Sequence, residues 1–123
     1  AFNCQFNNGA GAQGGFAGMA LHPQFTGAAG GQNFVYIGYV HSNPSTAVFV
    51  NRIVRFEYNP ATNRLQSPVS ICDTLPGSQD HNSQRMIIAP MTQGGSDYYL
   101  FYASGDMGAG QQFPALNVTR PMK

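Results

Sequence analysis

The sequence has 123 residues, about one domain's length, with 42% hydrophobic and only 9% charged residues. That apolar share excludes a chain disordered by composition. Net charge is +1, and the few lysines and arginines are scattered, so the electrostatic footprint of a nucleic-acid binder is missing.

No apolar stretch approaches the roughly 20 residues of a membrane-spanning helix. The start shows no charged region followed by an apolar one, so a secreted protein would carry this sequence as a mature or internal segment. Asn and Gln together outnumber the charged residues, a polar character more typical of extracellular than cytosolic surfaces.

Residues 1–15 are rich in Asn, Gln, Gly and Ala and read as loop. Residues 16–21 form the first short apolar run, closed by His22-Pro23. A glycine-rich turn over 27–32 leads to a second run, 34–40, rich in Val, Ile and Tyr. The third run, 52–58, alternates: Val54, Phe56 and Tyr58 share one face, and Arg55 and Glu57 the other. A turn built on Asn59-Pro60 follows. Residues 69–72 make a shorter fourth run, 85–89 a fifth and, after Gly94-Gly95-Ser96-Asp97, 98–104 a sixth. Residues 113–123 read as a loop leading into a further strand. No window carries a capped 3.6-residue period, so an antiparallel all-β fold is expected, either sandwich or propeller.

A repeat favours the propeller. The first run ends in Leu21-His22-Pro23 and the fifth in Ala89-Pro90, and each is followed by a turn and an aromatic strand. The expected architecture is one four-stranded blade plus the first two strands of the next. Blades bury their faces only against neighbours, so the segment is not expected to be stable alone.

The chemical motifs are sparse. Cys4 and Cys72 permit a disulfide in an oxidising compartment, and equally two unrelated thiols. Asn117-Val118-Thr119 fits a glycosylation sequon, a pattern that also occurs by chance. Residues 9–14 match G-x-G-x-x-G, but neither a strand before nor a helix after supports a dinucleotide site. His22, His41 and His81 have no metal-ligand spacing. His81 stands out because a carboxylate, Asp80, adjoins it just before a predicted buried strand. Imidazole titrates near neutrality and suits general-base work. On chemistry alone, an exposed loop histidine with a neighbouring acid is the better reading, because Asp-His pairs are common.

Five segments in order carry more information. They are Gln13-Gly14-Gly15-Phe16-Ala17-Gly18-Met19-Ala20-Leu21-His22-Pro23-Gln24-Phe25, then Phe34-Val35-Tyr36-Ile37-Gly38-Tyr39, then Asn51-Arg52-Ile53-Val54-Arg55-Phe56-Glu57-Tyr58. The last two are Asp80-His81-Asn82-Ser83-Gln84-Arg85-Met86-Ile87-Ile88-Ala89-Pro90 and Tyr102-Ala103-Ser104-Gly105-Asp106-Met107-Gly108. Together they resemble the soluble PQQ-dependent glucose, aldose and sorbosone dehydrogenases, whose corresponding motifs include Q-x-G-L-L-G-x-A-F-H-P-x-F and D-H-x-x-G-R-L-x-x-G-P.

The resemblance implies a partial six-bladed β-propeller over residues 1–123, from a protein that binds pyrroloquinoline quinone (PQQ) across its top face. It implies that His81 is the general base, taking the proton of a sugar's anomeric hydroxyl while hydride passes to the quinone. Asp80 is implied to orient the base or the sugar. Gln13 and Gln111 are implied on the sugar side, with Gln112 next to the second. The quinone's cationic clamp and the calcium ligands belong to later blades in that family, so they are expected outside this segment. The remaining blades would come from the same or another chain. The implied partners are a sugar and an external electron acceptor, and the implied location is secreted or periplasmic.

The alternative is a non-catalytic extracellular binding propeller resembling hedgehog-interacting protein, because fold does not fix function. Two positions depart from the pattern: Gln84 and Ala89 stand where the family usually has glycine. The bulk of Gln84 is expected to narrow the cleft.

Overall fold

Runs of Val, Ile, Phe and Tyr separated by Gly, Pro and Asn become strands wherever the pleated backbone can bury one face. The computed structural model describes residues 15–43, 48–78, 81–107, 112–113 and 118–119. Among these residues the chain is all β, with strands β1 (Phe16–Leu21), β2 (Phe34–Asn43), β3 (Val48–Asn59), β4 (Arg64–Pro76), β5 (Gln84–Pro90), β6 (Tyr98–Ser104), β7 (Gln112–Phe113) and β8 (Val118–Thr119). No helix among them is long and apolar enough to cross a membrane.

The first four strands form one antiparallel sheet in the order β1-β2-β3-β4, and β5 and β6 begin a second. This is one propeller blade and the inner half of the next, as the repeat predicts. Two regions differ from expectation. β4 covers 13 residues rather than four. Residues 112–113 pair with 118–119 as a short hairpin, within a stretch read from sequence as loop.

β4 hides its length because it is the outermost strand. Most of its residues are exposed on both faces, so no alternation marks it. Its pairing with β3 slips at three places. At one of them Ser67, with φ of 51°, and Pro68 together oppose Phe56. Proline is tolerated here because an edge strand leaves one side of its ladder unpaired.

The turns follow side-chain chemistry. Asn59 Oδ1 accepts from the Ala61 and Thr62 amides at 2.9 and 3.3 Å, and Asn63 takes the left-handed conformation, which asparagine tolerates best after glycine. Buried Asn33 closes the β1–β2 connection. Its Oδ1 accepts from the Thr26 and Gly27 amides, and its Nδ2 donates to Ala28 O at 2.6 Å.

The core lies between the blades. β5 alternates, with Gln84, Met86 and Ile88 buried and Arg85 and Ile87 exposed. The buried side meets a flat patch made by Gly18 and Gly38, which are register partners on β1 and β2. A Cβ on Gly18 would collide with the Gln84 carbonyl oxygen, and one on Gly38 with the Gln84 side chain. At the far end of the same contact His22 packs edge-on against Tyr98, with centroids 5.0 Å apart. Tyr98 pairs with Pro90, the last residue of β5. β1 and β5 therefore run side by side in the same direction, and the two blades share one orientation.

His22 is buried. Its Nδ1 accepts from the Gln24 amide at 3.2 Å, and its ring also packs on Phe34, which carries the Arg55 guanidinium 4.4 Å from its centroid. Desolvation pushes the imidazole pKa below its ordinary 6.5.

Two outcomes follow for the protein that carries this chain. Gly18→Ala forces β5 away from β1 and should destabilise by about 1–3 kcal/mol, read as a lower urea midpoint. For His22, the unfolded chain binds a proton that the folded chain resists. This contribution is complete above the unfolded pKa and is lost as pH falls through the lower folded value. The melting temperature should drop on going from about pH 7.5 to about pH 5, and His22→Gln should flatten that slope.

Candidate active site

The register of the second blade builds the site. Gln84 pairs with Ser104 at the end where β5 starts and β6 stops. Beyond that pair the ladder continues irregularly. Gly105 N donates to Asn82 O at 2.6 Å, and Met107 N donates to His81 O at 3.1 Å. The segment before β5 and the segment after β6 are thereby held together, although His81 and Asp106 are 25 residues apart.

The cost is backbone strain. His81, Ser83 and Met107 have φ of 47°, 37° and 53°, a region that residues with a Cβ avoid, at roughly 1–3 kcal/mol each. Gly105 is required in this geometry, because a Cβ there would collide with the His81 carbonyl oxygen. Asn82, only 2% exposed, binds both backbone groups of Ser78 through its side chain, at 2.9 and 2.7 Å.

The strained turn presents a side-chain pair. His81 Nδ1 lies 3.1 Å from Asp106 Oδ1, with the two side chains 39% and 55% exposed. An ionised carboxylate only accepts hydrogen bonds, so this contact places the imidazole proton on Nδ1. The neutral ring then carries its lone pair on Nε2, where it can accept a proton from a bound molecule. Beside this turn, an open groove of about 580 Å³ runs between the inner strands, lined by Ala17, Gly18 and Met19 of one blade and Ser83 to Ile87 of the next.

Of the residues expected from sequence, His81 occupies this position. Asp80, Gln13 and Gln111 lie outside the described residues, as does Cys4. Cys72 is half-buried on β4 and forms no disulfide among the described residues. His22 sits at the opposite end of the blade contact, and His41 lies on β2 opposite Val50. Among the described residues no group of three or more His, Cys, Asp or Glu side chains could hold a metal ion.

The residue missed from sequence is Asp106. It was visible only as part of a strand-end motif, yet the hairpin register of β5 and β6 would have placed it near residue 81. Gln84 also departs from expectation. Its side chain is 1% exposed and is buried between the blades, against Gly38 and Asn51, so it does not narrow an open cleft. The alternation of β5 is the reason: Gln84 shares the inward face with Met86 and Ile88.

Known proteins identify the family to which the chain belongs. The profile of the glucose/sorbosone dehydrogenases matches residues 6–120. The chain is 33% identical over 108 residues to quinoprotein glucose dehydrogenase B of Acinetobacter calcoaceticus, in a match covering 85% of this chain and 20% of that protein. It thus spans about a fifth of the length of that curated relative. Strand order, motif order and family profile converge, and the chain belongs to the glucose/sorbosone dehydrogenase family.

Proposed function

We propose that the protein carrying this chain is a PQQ-dependent dehydrogenase that oxidises an aldose or related sugar at its anomeric carbon, with His81 as the general base. The observation that carries this reading is the exposed His81–Asp106 pair at 3.1 Å, raised on a strained turn beside the groove between two inner strands. Family membership and the quinoprotein relative supply the reaction class.

The residues present suit the substrate side of such a site. They offer one imidazole, one carboxylate that fixes its tautomer, and neighbouring amides, rather than a cationic clamp or a metal cage. Bound PQQ supplies the two-electron acceptor for hydride, and calcium is expected to accompany it on ligands other than these. His81 Nε2 accepts the proton of the sugar's anomeric hydroxyl as its carbon–hydrogen bond breaks and the lactone carbonyl forms. Asp106 holds the ring in the required tautomer and steadies the imidazolium that results. Asp80, adjacent to the base, is assigned to orienting base or sugar, and Gln13 and Gln111 to the sugar hydroxyls. The low charge content fits a secreted or periplasmic protein whose electrons leave to an external acceptor.

Two variants test these roles in protein reconstituted with PQQ and calcium. His81→Gln should lower sugar-dependent dye reduction by about 10²–10⁴-fold while quinone uptake, followed by absorbance, stays near the parent value. Full turnover in that variant would exclude His81 as base. Asp106→Asn can still bond to Nδ1, but as a neutral partner it no longer favours the imidazolium. It should lower kcat at least tenfold, and a parental kcat would remove Asp106 from the mechanism.

A further inference from the structure

The connection that bears His81 is closed twice by buried amides. The inner closure is the two-bond contact of Asn82 with Ser78. The outer one is made by Asn51 on β3, which is completely buried. Asn51 Nδ2 donates to Pro76 O at 2.7 Å, and its Oδ1 accepts from Gln84 Nε2 at 2.6 Å. Pro76 is the last residue of β4 and Gln84 the first of β5. A single side chain from a neighbouring strand thus joins the residue before the connection to the residue after it.

This relay does more than fill space. Gln84 Oε1 is buried with no hydrogen-bond partner among the described residues, an arrangement that costs free energy. An apolar side chain of similar volume would fill the same gap without that orphan. What the amide adds is direction and distance: two short hydrogen bonds set the separation between residues 76 and 84. His81 and Ser83 hold left-handed backbone between those two points, and such strain persists only where the surroundings fix it.

We propose that Asn51 and Gln84 are positioning residues for His81, setting both ends of its connection so that the imidazole stays against Asp106. The inference rests on the reading of His81 as base. Neither residue touches the imidazole; both act through the backbone that carries it.

The test is Gln84→Met in the PQQ- and calcium-loaded protein, because methionine approximately keeps the volume and removes the relay. The expected result is a fall in kcat of about tenfold with the sugar KM nearly unchanged. Hydrogen exchange gives a second readout. The Gly105 and Met107 amides, which donate to Asn82 and His81, should exchange faster while β2 and β3 keep their protection. Asn51→Ala should reproduce both effects if it folds. A Gln84→Met protein with parental kcat and parental exchange at Gly105 and Met107 would overturn the proposal, even with a lowered melting temperature. Full turnover in His81→Gln would instead remove the base reading, so the two failures are separable.

Discussion

The close approach of β5 to β1 sets the geometry on which the rest of the structure depends. Strands in adjacent blades come this near only where side chains are missing from one of them, and Gly18 and Gly38 supply that absence side by side on β1 and β2. Once β5 is seated, its alternation fixes which residues point inward. Its starting point fixes where the β4–β5 connection must emerge. The site is therefore a product of packing between blades: the same contact that buries Met86 and Ile88 delivers His81 to one end of the sheet and Tyr98 to the other.

The two ends of this contact are chemically opposite. At one end, a buried histidine is held neutral among aromatic rings and acts as a packing element. At the other, a partly exposed histidine is paired with a carboxylate and raised on left-handed backbone. The residue type is the same, and the environment assigns the role. Burial disfavours the cation at His22, whereas the His81 ring stays partly exposed beside a carboxylate. The polar groups that support the second histidine are buried amides, which supply hydrogen bonds without the desolvation cost of an ion.

Much of the fold was legible because its signals are local. The alternation over 52–58, the Asn59-Pro60 turn and the aromatic run from Tyr98 all report their own conformation, and the repeated run-turn-run pattern reported the blade. β4 was underestimated because burial creates the alternation by which strands are recognised, and a rim strand has little burial. At the site, His81 was legible as a histidine in a motif. Its partnership with Asp106 was not, because it depends on hairpin register across 25 positions. Gln84 was misread for a related reason: its bulk was clear, but only the packing of β5 shows that the side chain faces the neighbouring blade.

The slips in β4 pairing have a consequence for the molecule's outer rim. β4 ends its sheet and exposes Leu65, Val69 and Ile71. A regular strand with those side chains would be a template for another chain, adding partners edge to edge in the manner of a fibril. The extra residues, the left-handed Ser67 and the missing amide hydrogen of Pro68 break the rim's row of donors and acceptors into short lengths. No straight strand can match it for more than a few residues, so the rim keeps its apolar side chains without inviting polymerisation.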